Sequence, residues 1–235
     1  MVRTAVTFMS ETAPRAKVVG PVLRSGRLTM PNDTILCGRP GSSYCVTVGD
    51  YKAWENEAGS GWSKKPEFIR RRLFERYIDP VRALDCHPDT KRLKNGFYIM
   101  AVSCLLIETL VSYWRGWETT EPHKDAAARQ VPGKSREAFR IFFHEEGRFA
   151  EFQGTEFYKR IRCGILHQGE ATGGWTISRE GSLFDGTSEV NATKFHNKLA
   201  AAIRDYESNL KNPLPGSSLR NNFDKKMKAV IANCR

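Results

Sequence analysis

The chain has 235 residues, 40% of them hydrophobic and 27% charged, and its 37 lysines and arginines against 26 aspartates and glutamates leave a net charge of +11. That mixture excludes fibrous and disordered classes and fits one sizeable core with appendages. The positive balance favours contact with a polyanion such as nucleic acid or an anionic surface; spread over solvated helix faces, the same charge would serve solubility. The six cysteines, Cys37, Cys45, Cys86, Cys104, Cys163 and Cys234, lack CxxC spacing and read as reduced thiols. No tight Cys/His cluster has the spacing of a zinc site, so neither a metal nor another cofactor is expected. The first residues carry no compact apolar signal-peptide core, and cytoplasmic residence is the expectation.

Residues 1–62 carry turn formers throughout, from Pro14 and Gly20 to Gly59 and Gly61, and read as an irregular basic arm. Up to Asp50, Arg3, Arg15, Lys17, Arg24, Arg27 and Arg39 outnumber Glu11, Asp33 and Asp50, so the arm suits a polyanion. Within it, Tyr44-Cys45-Val46-Thr47-Val48 has strand character and could form a hairpin against the rest of the protein.

A helical domain is expected over 63–212. Phe68, Leu73, Phe74, Tyr77 and Ile78 recur at three and four residue steps, opening with Pro66 and ending or kinking at Pro80. The basic run Lys64, Lys65, Arg70, Arg71 and Arg72 could track a phosphate backbone, although the aromatic residues beside it follow the apolar stripe and suggest core. A second helix, about Asn95 to Trp117, is apolar nearly all round and therefore central. It approaches the length of a membrane span, but Glu108 near its middle would cost roughly 2.5 to 3.5 kcal/mol there, so a buried bundle helix is the expectation and no membrane partner is assigned.

After a charged loop, Ser135 reads as the N-cap of a third helix with Phe139, Phe142 and Phe143 inward. A fourth helix spans about Thr155 to Leu166. Trp175 to Ser178 alternates like a strand, with Ser182 to Phe184 as its hairpin partner. A fifth helix covers about Ala192 to Leu210. Residues 213–235 add an amphipathic helix carrying Leu219, Phe223, Met227, Val230 and Ile231. The sum is an all-α, antiparallel helical bundle with a small β-hairpin insertion and an irregular N-terminal arm.

The densest chemistry lies in Arg160-Ile161-Arg162-Cys163-Gly164-Ile165-Leu166-His167, where a helix ends. Arginine offers a permanently charged planar fork to a phosphate, and histidine titrates near neutrality. On an ideal helix Arg162 and His167 lie about 140° apart and about 7.5 Å along the axis, whereas Arg160 and His167 share a face about 10.5 Å apart. Either pair therefore needs a loosened turn at Gly164, or a second subunit, to converge. Glu108 shares a helix face with Ala101, Cys104, Leu105 and Val111 and should need a partner. It reads either as a carboxylate orienting Arg162 or His167 or as a structural salt bridge at the bundle rim.

An arginine, four to six residues and a histidine late in a helix of an all-α domain resembles the motif of the HEPN family, the higher eukaryote and prokaryote nucleotide-binding domains. The resemblance rests on this motif and on the helical pattern of residues 65 to 210. It implies a small helical bundle that pairs into a homodimer and a metal-independent endoribonuclease of a toxin or antiphage kind. In that reading RNA is the substrate and an antitoxin or other protein a partner. By resemblance Arg162 and His167 are the catalytic residues; Arg160, which fits the longest motif spacing, and Glu108, from its place in the long helix, could support them. The position after the motif arginine, often Asn or Asp in that family, is Cys163. A noncatalytic HEPN-like module binding RNA, a nucleotide or a protein partner is the alternative.

Overall fold

The computed structural model describes residues 31–57, 60–88, 94–125 and 127–234. The basic positions of the expected arm from Arg3 to Arg27 lie outside the described residues. Residues 31–57 and 60–62, expected to continue that arm, belong to the fold. Strands β1 (Ile35–Gly38) and β2 (Cys45–Thr47) form the expected antiparallel hairpin and bury Leu36 and Val46. Gly38 stands at φ +82°, and a Cβ there would lie 1.9 Å from the Tyr44 carbonyl oxygen, so only glycine fits.

Helix α1 (Val48–Asn56) follows without a break and was not foreseen. A reciprocal cap nucleates it: Asp50 N–H donates to Thr47 Oγ1 at 3.1 Å, and Thr47 N–H donates to Asp50 Oδ2 at 2.8 Å. Its burial of Val48 and Tyr51 is too short a pattern to show as a period.

Helix α2 (Lys65–Leu73), a π-helical turn (Phe74–Ile78) and α3 (Asp79–Asp85) succeed one another without an intervening gap. Pro80 therefore does not end the helix. Proline lacks the N–H that a regular turn would donate four residues back, and the wider turn before it carries the chain past that lost bond.

Helix α4 (Gly96–Arg115) is the central element, closed by Gly116 in a left-handed C-terminal turn, and α5 (Ser135–Glu145), α7 (Ala192–Lys211) and α8 (Ser218–Ala232) all pack against it. It is the one described helix long and apolar enough to cross a membrane, and most of it is buried inside the fold. The loop after it carries a short hairpin, β3 (His123–Lys124) with β4 (Gln130–Val131). Helix α6 (Gly164–Gln168) is short and continues a second π-helical turn, Tyr158–Cys163. The fourth helix expected from the sequence is this composite.

Phenylalanines fill the space between α5, the π turn and α7. Phe157 and Phe195 stack at 5.3 Å, and Phe149 meets Phe195 edge-on at 4.7 Å, with Phe139, Phe143 and Phe152 around them. Such pairs contribute about 0.5–1.5 kcal/mol each beyond burial. The tail joins the same core, since Phe223 and Met227 of α8 are fully buried and Phe223 meets Trp62 edge-on at 5.5 Å.

The expected hairpin of Trp175–Ser178 with Ser182–Phe184 is replaced by a different pairing. Strand β5 (Thr176–Ser178) runs parallel to β6 (Glu189–Asn191), and Phe184 makes only an isolated bridge to Val190. The cause is Asp185, whose carboxylate accepts backbone N–H groups of Thr187, Ser188 and Glu189 at 2.8, 2.8 and 2.9 Å. That turn folds the chain back and delivers Val190 to Ile177.

His196 of α7 is buried, with Nδ1 3.0 Å from Ser103 Oγ on α4. Burial pushes its pKa down to about 4. Between that value and the ordinary one near 6.5 the unfolded chain binds a proton that the folded one refuses, so stability falls as pH is lowered through this window. The expected loss is about 3 kcal/mol, read as the pH dependence of the urea midpoint; the same loss in His196→Gln would assign it to another group.

Candidate functional site

The π turn places Arg162 where three parts of the fold meet. Its Nε donates to Glu108 Oε1 on α4 at 2.9 Å, and its Nη2 donates to Ser135 Oγ at the start of α5 at 3.0 Å. Ser135 in turn donates to Glu108 Oε2, which also accepts from Thr120 Oγ1 at 2.8 Å in the loop after α4. The guanidinium lies over the Tyr158 ring, 5.6 Å from its centroid. A π turn accommodates one residue more than a regular turn, and this re-registration decides which way Arg162 points.

The ion pair is largely enclosed, with side-chain exposures of 17% for Arg162 and 15% for Glu108. Burial alone would lower the Arg162 pKa, but the Glu108 carboxylate outweighs it and the guanidinium is held above its ordinary value. Beside the pair, burial pushes the Cys104 thiol far above the usual range, which makes it an inert apolar neighbour. Nη1 of Arg162 donates to no described residue and remains available to a ligand.

The expected residues divide sharply. Glu108 and Arg162 are brought together, which supplies the contact shared by both readings of Glu108. His167 on α6 is exposed and forms no hydrogen bond or ion pair with Arg162. Arg160 is turned to Glu156, with Nε 2.9 Å from Oε2, and packs against Gly173. Gly164 does not loosen the turn; it lets the returning chain approach, since a Cβ there would lie 2.4 Å from the Glu170 carbonyl oxygen.

The basic run after Trp62 is not a free strip, because Lys65 and Arg72 are buried and the other three charges are held in ion pairs. Lys65, only 5% exposed, holds Asp224 at 2.6 Å, and Arg72 is buried against the Leu36 carbonyl. Lys64 pairs with Glu57, Arg70 with Glu207 and Arg71 with Glu67. Only Glu67, four residues before Arg71 on one helix, is cued by spacing; Asp224, 159 positions from Lys65, and Glu207 are not.

Ser135, Thr120 and Tyr158 were missed. Ser135 was read as a helix cap, but the capping position is Lys134 and the Ser135 hydroxyl serves the arginine and the carboxylate instead. Thr120 sits in a loop whose course no periodicity reveals.

A cleft of about 580 Å³ opens beside the junction, between the uncovered stripe of α4, the loop 118–121, Leu166 and Lys226. Tyr98, Leu105 and Leu166 on its walls are 46%, 51% and 56% exposed. Its charged lining is three carboxylates, Glu108, Glu118 and Glu121, against two cations, Arg162 and Lys226. Among the described residues no group of three His, Cys, Asp or Glu side chains could hold a metal ion.

This is a mostly helical protein with a partly buried arginine–carboxylate–hydroxyl junction beside an apolar cleft. A scan against protein-family models and searches of the curated proteins and of the solved structures each returned no match.

Removing one member of the pair leaves the other partly buried and uncompensated. Glu108→Ala and Arg162→Ala should each destabilise by about 1–3 kcal/mol, reduced from the fully buried case by the residual exposure, and the double variant should cost clearly less than their sum. Urea unfolding of the four proteins measures this; additive losses would show that the two side chains are not coupled.

Proposed function

We propose that the protein is a metal-independent endoribonuclease of the HEPN type, with a site completed across a homodimer. Arg162 stabilises charge on the phosphate while the 2′-hydroxyl attacks, and His167 transfers the proton, so that cleavage leaves a cyclic phosphate. The observation that carries this reading is the placement of Arg162: it is pre-oriented by Glu108 and Ser135, keeps Nη1 unengaged, and borders an apolar stripe. Exposed Tyr98, Leu105 and Leu166 form a face that a second copy would cover, and Leu166 adjoins His167, so pairing through it would carry the histidine of one subunit toward the arginine of the other. A toxin or defence setting and an antitoxin partner belong to the same proposal.

A second reading, a noncatalytic module that binds RNA, a nucleotide or a protein, is favoured by one specific observation. The Arg162 guanidinium is already neutralised by Glu108, and the cleft lining is acid-rich for a polyanion.

RNA cleavage in EDTA separates the two. The nuclease reading expects activity that falls at least a hundredfold in His167→Ala and in Arg162→Ala; cleavage that persists in both variants removes the assigned site. Sedimentation should show a dimer that Leu105→Glu with Leu166→Glu converts to a monomer without loss of helix content. A monomeric wild-type protein would end the composite-site proposal.

A further inference from the structure

A second groove, of about 680 Å³, runs along α5 on the other side of Tyr158. Arg136, Arg140 and His144 line one wall at four-residue intervals, which sets them about 6 Å apart along the helix axis. That interval is of the order of the spacing between successive phosphates in an extended single strand. Edges of Phe139 and Phe143 form the floor, and half-buried Tyr158 stands on the opposite wall, carrying Arg162 over its ring.

The charges on this wall are unspent, unlike those of the run from Lys64 to Arg72. Arg136 and His144 make no ion pair with any described residue, and Arg140, 72% exposed, has only a loose contact with Glu137 at 3.6 Å. The acids at the end of α5 are turned elsewhere, Glu145 to Arg115 and Glu146 to Arg148. The groove is therefore net positive, whereas the cleft on the other side of Arg162 is net negative.

We infer that single-stranded RNA lies along α5 in this groove, its phosphates on Arg136 and Arg140 and a base against Tyr158, the residue whose ring also carries Arg162. Charge complementarity selects the occupant, and the aromatic wall suits a nucleobase better than an acidic peptide. The identity of the strand as RNA rests on the nuclease reading of Arg162 and His167.

The test is fluorescence anisotropy with a labelled oligouridylate, on wild type, on Arg136→Glu with Arg140→Glu, and on the charge-matched control Lys211→Glu with Lys225→Glu. All four positions are exposed, and circular dichroism checks that the variants fold. The groove variant should bind at least about tenfold more weakly, with the slope of log affinity against log salt reduced by about 1.4, two phosphate contacts at about 0.7 each; the control should shift little. Equal losses in both variants, or none in the groove variant, overturn the proposal, as does groove-dependent capture of polyglutamate without capture of oligouridylate. A protein that binds the strand through α5 yet never cleaves it keeps the groove and retires the nuclease; one that cleaves with an unchanged KM in the groove variant does the reverse.

Discussion

The structure is organised by the need to cover α4. A 20-residue helix that is apolar nearly all round cannot remain in water, so α5, α7 and α8 are recruited to it. Their number is insufficient to close it. One stripe, Tyr98, Ala101, Val102, Leu105 and Glu108, is left at the surface, and the only carboxylate of the helix stands at its end. Arg162 and Ser135 converge there because a carboxylate half withdrawn from solvent must be compensated. The junction is thus a consequence of incomplete coverage, and the same incompleteness creates the apolar cleft.

Electrostatic economy explains why net charge was a poor guide to location. Positive charge concentrated in sequence between Lys64 and Arg72 is consumed by Glu57, Asp224, Glu67, Glu207 and a backbone carbonyl. Among the cations left without an ion pair, Arg136 and His144 stand with the loosely held Arg140 along one face of α5. A surface potential follows from which cations lack partners, and this can be read only once the fold has paired the others.

Helix existence was largely legible. The apolar periods of α4, α5, α7 and α8 are long, and their observed limits lie within a few residues of those the pattern implies. What escaped was governed by single side chains acting over a few positions: the Thr47–Asp50 cap that starts α1, the Asp185 turn that converts a hairpin into a parallel pair, and the widened turn that absorbs Pro80. Of the site, Arg162 and Glu108 were visible because each broke a pattern, a cation at a helix end and an acid in an apolar helix. Ser135 and Thr120 broke none, and their roles come from where distant segments cross.

The π turn at Tyr158–Cys163 makes the aim of Arg162 a matter of counting as well as of chemistry. Were the same residues to relax to regular winding with none lost, all that follows would swing by about 100°, the rotation of the one residue the wide turn absorbs. Arginine and histidine would keep their identities and their separation along the chain, yet the guanidinium would leave Glu108 and Ser135. The winding of this turn is therefore as much a determinant of the junction as any side chain in it, and a change elsewhere that lets the turn relax would lose the arrangement with every one of its residues in place.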